Sequence, residues 1–91
     1  MHRDEIRALV QRSTDSVLKE RGDSPVTLSD ATRLLGYEDL RIDSLDLAVI
    51  VTELQEETGV DPFEEGFVAF TTVGELVDLF HARMSQPPGR G

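Results

Sequence analysis

The chain has no cysteine among its 91 residues, so disulfides, thiolate metal sites and a cysteine nucleophile are all excluded. Histidine is nearly as scarce. His2 and His81 stand at opposite ends of the chain, where they cannot form the cluster a metal site requires, and His81 reads as a surface or capping residue. No window approaches a membrane span, and the N-terminal MHRDEIRALVQRS lacks an apolar core of signal-peptide length. The cytoplasm is therefore the expected location. Positive charge is also short: nine Lys and Arg face eighteen Asp and Glu, a net charge of -9. That balance argues against nucleic acid and anionic membrane surfaces, and for partners with basic patches.

A chain of this length makes one small domain, expected over residues 1–84, with SQPPGRG at 85–91 a disordered tail. Such a domain buries only about 60 to 65 per cent of the surface its unfolded chain exposes, too little to enclose a deep active site. From Asp4 to Arg21, Ile6, Leu9, Val10 and Val17 recur at helical spacing and Gly22 supplies a stop, which predicts a first amphipathic helix. Arg3, Arg7, Glu20 and Arg21 read as its solvated charge. The connection from Gly22 to Ile42 is long, yet it carries Val26, Leu28, Leu34, Leu35, Tyr37, Leu40 and Ile42, so it must lie against the core, with a short helical turn near Ser29. Tyr37 reads as an anchor of that packed loop.

Leu40 to Gly59, LRIDSLDLAVIVTELQEETG, is the stretch around which the rest is organised. Asp43-Ser44 stands directly before a helical run, which places Ser44 in the first turn with its hydroxyl in solvent. The unpaired N–H groups and dipole of a helix N-terminus favour a phosphoryl group there. Leu47, Ile50, Val51 and Leu54 form the buried stripe, while Asp46, Glu53 and Glu57 line one flank as solvated charge. Leu45, Ala48 and Val49 fall on the side away from the core. Either the packed loop covers Leu45 and part of this face, or the strip docks partners that present an apolar groove rimmed by Arg or Lys; both can hold, with Leu45 partly buried and Val49 exposed.

Beyond that helix, Asp61-Pro62-Phe63-Glu64-Glu65 predicts a short third helix or an irregular equivalent. Phe63, Phe67, Val68 and Phe70 read as core packing. Thr72-Val73-Gly74-Glu75 is a capping box that opens a last helix with Val73, Leu76, Val77 and Phe80 on its buried stripe.

Taken together, Asp43-Ser44-Leu45-Asp46, the apolar helix after it, its acidic Glu53 to Glu57 end, the Gly59 stop and the later Thr71-Thr72-Val73 resemble an acyl carrier protein, over roughly Ile6 to Phe80. The resemblance implies an all-α four-helix bundle with a long packed loop between helices one and two and a short third helix. It implies that Ser44 carries a covalent 4′-phosphopantetheine arm, transferred from coenzyme A by a separate phosphopantetheinyl transferase, whose terminal thiol holds an acyl group as a thioester. Asp43 and Asp46 would help bind that transferase. The expected docking residues are Asp43, Leu45, Asp46, Ala48, Val49, Glu53 and Glu56, and in carriers the region of Phe63 to Phe70 borders the groove that receives the acyl chain.

Catalysis by the chain itself is not expected, since Ser44 has no nearby histidine in sequence and no Gly-rich elbow. Carriers of primary fatty-acid synthesis typically place acidic residues two, five, eleven and twelve positions after the modified serine; here those positions hold Asp46, Val49, Gln55 and Glu56. Two of the four charges are missing. With Leu34-Leu35-Gly36 and Asp61-Pro62-Phe63, this points to a freestanding monomeric carrier of specialised metabolism, in polyketide-type (antibiotic) assembly. Its partners would then be acyltransferase, ketosynthase-type or adenylating enzymes with basic docking patches. An aminoacyl carrier loaded by an adenylating enzyme and a fatty-acid carrier are the alternatives within the class. An unmodified acidic helical adaptor is the alternative outside it.

Overall fold

The computed structural model describes residues 2–36 and 39–84. Among them are three helices and no strand: α1, Arg3–Glu20; α2, Ser44–Thr58; and α3, Val73–Met84. Tyr37 and the segment 85–91, for which an anchoring role and a disordered tail were expected, lie outside the described residues.

α1 is the central helix and packs against both α2 and α3. Its apolar spacing brings Ile6, Val10, Val17 and Leu18 into the core with Leu47, Ile50 and Leu54 of α2 and Val73, Leu76, Val77 and Phe80 of α3. Phe80 is fully buried, a position where truncation to Ala typically removes about 3–5 kcal/mol. The Ser13 and Thr14 hydroxyls are buried on α1 with no hydrogen-bond partner among the described residues. α2 ends at Gly59, whose φ of 75° is left-handed and whose N–H caps the Gln55 carbonyl at 2.9 Å. That conformation suits a residue without a Cβ.

The long α1–α2 connection is packed, as its apolar content requires. Leu28, Leu34, Leu40 and Ile42 are buried, although Leu35 is exposed. The turn near Ser29 is a single one, closed by Thr32 N–H donating to the Ser29 carbonyl at 3.1 Å. Two anchors hold the loop. Gln11 of α1 donates from Nε2 to the Val26 carbonyl and accepts the Leu28 N–H on Oε1, both at 2.8 Å. At the other side Leu34 N–H donates to the Thr71 carbonyl and Val73 N–H to the Thr32 carbonyl, both at 2.9 Å, so the loop is stitched to the start of α3.

Three expectations are corrected. The four helices expected are three among the described residues: 61–66 form a turn, the irregular equivalent of a short third helix, closed by Glu64 N–H to the Asp61 carbonyl at 3.3 Å and Gly66 N–H to the Phe63 carbonyl at 3.0 Å. Gly66, at φ 137°, breaks the backbone before a helical run can accumulate. The aromatic segment after it is not core. Phe63 and Phe70 are half-buried against the core, but Phe67 is 77% exposed and Val68 is also exposed; Phe63 stacks on Phe67 and Phe70 at centroid distances of 5.5 and 5.8 Å, and Phe67 lies tilted to Phe70 at 6.2 Å. Finally, arginines of α1 that read as solvated charge are structural. Arg3 bonds Asp78 of α3 at 2.6 Å, and Arg3 and Arg7 both reach Asp30 of the loop.

Candidate functional site

The N-terminus of α2 is built by a reciprocal pair of carboxylates around one serine. Asp43 is the N-cap, in extended conformation; its Oδ1 accepts the Asp46 N–H at 2.9 Å, and Asp46 Oδ2 accepts the Asp43 N–H at 3.2 Å. This capping box satisfies donors at the helix start and fixes where the helix begins. Ser44 is the first residue of α2, exposed, and its hydroxyl makes no hydrogen bond among the described residues. The Asp46 N–H and, behind it, the Arg21 guanidinium hold the Asp43 carboxyl below its ordinary range.

Arg21, which read as solvated charge in the sequence, is instead paired at this site. It is the C-cap of α1, and its guanidinium bonds the Asp46 carboxylate while standing 3.9 Å from Asp43 and 3.8 Å from Asp23. Asp46 is consequently a half-buried, paired residue and not the solvated charge its helical position indicated. Nothing in the spacing of a sequence links a residue 23 positions before Ser44 to it. The only signal available was that an arginine ends a helix whose following Gly22 turns the chain.

The outward face of α2 is where the sequence placed it. Leu45 is 77% exposed and Val49 is 49% exposed, so the α1–α2 loop does not cover Leu45. Ala48 and Glu56 are exposed beside them, and Glu53 is half-buried at the flank. Glu57 faces Arg12 of α1 at 3.8 Å. The face is thus apolar within two turns of Ser44, with carboxylates at its edges and further along the helix.

Two surface grooves lie elsewhere. One runs along Phe67, Val68, Leu79 and Arg83; another is lined by Leu9, Arg12, Ser13, Glu53 and Glu57. No group of three or more His, Cys, Asp or Glu residues able to hold a metal ion is present among the described residues, and none of their helices is long and apolar enough to cross a membrane.

Residues 5–80 fit the family model described as a phosphopantetheine attachment site. No curated protein and no solved structure matches the chain.

Proposed function

The chain belongs to the phosphopantetheine attachment-site family, and from that premise we propose that Ser44 is the residue that carries the arm. Domains of this family bind 4′-phosphopantetheine covalently and are generally non-catalytic carriers that meet phosphopantetheinyl transferases and biosynthetic enzymes. The observation that carries the assignment is the state of the Ser44 hydroxyl: exposed, without a hydrogen-bond partner among the described residues, at the first position of a capped helix within the matched region.

The residues present fit a phosphodiester at that point. The hydroxyl is open to a transferase, and the helix dipole places its positive end beneath it. The chain has no nucleophilic thiol of its own, so the arm supplies the thiol on which an acyl group is held as a thioester. Ser44 is a substrate here. The transferase takes its proton, and the oxygen displaces the nucleotide part of coenzyme A to form the phosphodiester. Held on a tether, the acyl group stands at high effective concentration beside each enzyme the carrier visits.

Docking is assigned to the outward face of α2, with Leu45, Ala48 and Val49 meeting an apolar groove and Asp43, Asp46, Glu53 and Glu56 meeting basic residues around it. The pathway we favour is polyketide-type specialised metabolism in the cytoplasm. Support comes from the departure from the fatty-acid pattern: Val49 puts an apolar surface where that pattern has a charge, and Gln55 is turned away to bond Asp61 at 3.0 Å. An aminoacyl cargo loaded by an adenylating enzyme fits the same face.

The test is intact mass before and after incubation with a broad-specificity phosphopantetheinyl transferase, magnesium and coenzyme A, beside Ser44→Ala. One added phosphopantetheine, absent from the variant, is the expected result. No added mass under conditions that convert a known carrier would leave an unmodified helical adaptor as the better reading.

A further inference from the structure

A phosphodiester on Ser44 would enter a crowded electrostatic site. Asp43 and Asp46 bracket the serine in sequence and are tied to each other across it, and Asp23 joins them through Arg21. Three carboxylates therefore already share one guanidinium. The donor that a bare helix N-terminus would offer an anion is partly spent as well, because the Asp46 N–H is given to Asp43. Adding a fourth negative charge raises the energy of the folded state unless a cation turns to meet it.

Arg21 is placed to do so. Its backbone is fixed as the C-cap of α1, with the N–H donating to Leu18 and Val17 carbonyls at 3.1 and 3.2 Å, so only the side chain is left to move. The side chain is partly exposed and already spans from α1 to the first turn of α2. A guanidinium presents a planar fork that fits phosphate oxygens in pairs and is never deprotonated, whereas its present partner, Asp46, keeps a second donor in the Asp43 N–H. A change of partner would leave Asp46 hydrogen-bonded.

We propose that Arg21 is the counter-ion of the arm's phosphate, moving from Asp46 to the phosphodiester once Ser44 is modified. The inference rests on Ser44 being the attachment residue. One consequence is a difference between the two forms of the carrier. Before modification Asp46 is occupied by an internal cation; afterwards it faces outward and can pair with a basic group on a partner enzyme. Arg41, exposed three residues before Ser44 and without an ion pair among the described residues, is the rival cation.

The experiment compares thermal midpoints of the unmodified and fully modified forms at low ionic strength, with conversion verified by intact mass, for wild type, Arg21→Gln, Arg21→Lys, Arg41→Gln and Arg12→Gln. The ³¹P resonance of the phosphodiester is recorded on each modified form. In Arg21→Gln, modification should lower the midpoint by on the order of 3 °C more than in wild type and move the ³¹P signal, with Arg21→Lys in between and the other two variants like wild type. Equal shifts in all five proteins, or a shift confined to Arg41→Gln, overturn the proposal. Should Arg21→Gln not fold, the Arg21→Lys midpoints and ³¹P shift decide alone. A wild-type protein that takes up no phosphopantetheine overturns the Ser44 assignment, and this inference with it.

Discussion

The N–H of Gly74, in the first turn of α3, donates to the Asp30 carbonyl at 3.0 Å, and a Cβ built on Gly74 would stand 2.9 Å from the Cβ of Asp30. The helix and the long loop touch backbone to backbone at this point. Glycine inside a helix is ordinarily about 0.5–1 kcal/mol worse than alanine. Here Gly74→Ala is expected to destabilise instead, by roughly 1–3 kcal/mol, because the loop must move away from α3. Urea unfolding would measure it, and a more stable variant would show that the contact is not close.

Gln11 clamps the same loop from the other side, through both ends of its amide. Gln11→Ala leaves a half-buried carbonyl and N–H to find water, and should cost about 1–2 kcal/mol. The local signature is faster amide exchange at Leu28, with little change at Leu76 in the core.

Thr14 is fully buried, and its hydroxyl has no partner among the described residues. Valine has the same shape and a similar helix propensity, so Thr14→Val should raise stability by about 1 kcal/mol. A loss of stability would reveal a water or side chain bonded to that hydroxyl.

Asp43 and Glu75 cap α2 and α3. Glu75 accepts the Thr71 and Thr72 N–H groups at 2.9 and 3.0 Å, which hold its carboxyl below the ordinary range, as the Asp46 N–H does for Asp43. A depressed folded pKa means that the contribution to stability is complete above the ordinary values, 3.8 for Asp and 4.5 for Glu. It is lost as pH falls through the folded values. Asp43→Asn and Glu75→Gln keep an acceptor but do not titrate there, so their midpoints should lie below wild type at pH 7 and converge on it as acid is added. A gap that stays constant with pH would refute the role of the charge.

Leu45, 77% exposed, and Val49, 49% exposed, lie outside the core cluster. Leu45→Asp and Val49→Asp should change stability by less than about 0.5 kcal/mol. If this face docks the transferase, Leu45→Asp should nonetheless cut kcat/KM for modification by on the order of tenfold, or about 1.4 kcal/mol. Unchanged kinetics would place docking elsewhere.

Much of this protein is written in local pattern. The start of α2 at Ser44, its stop at Gly59, its buried stripe and the capping box at Thr72 and Glu75 all follow from residues within a few positions of one another. Short-range chemistry suffices there, because caps and helical faces depend on neighbours in sequence. The exposed place of Ser44 at the head of α2 was legible for the same reason.

What the sequence by itself did not determine concerns partners distant along the chain. Phe67 and Phe63 look alike in sequence, yet one lies out on the surface and the other against the core, because Gly66 turns the backbone between them. Arg21, Arg3 and Arg7 look like any exposed helical charge, and only the folding of α1 between α2 and α3 sets them against Asp46, Asp78 and Asp30. Side-chain identity fixes which groups can pair. Which of the available carboxylates an arginine meets is decided by how the helices and the loop pack, and that is a property of the whole tertiary structure.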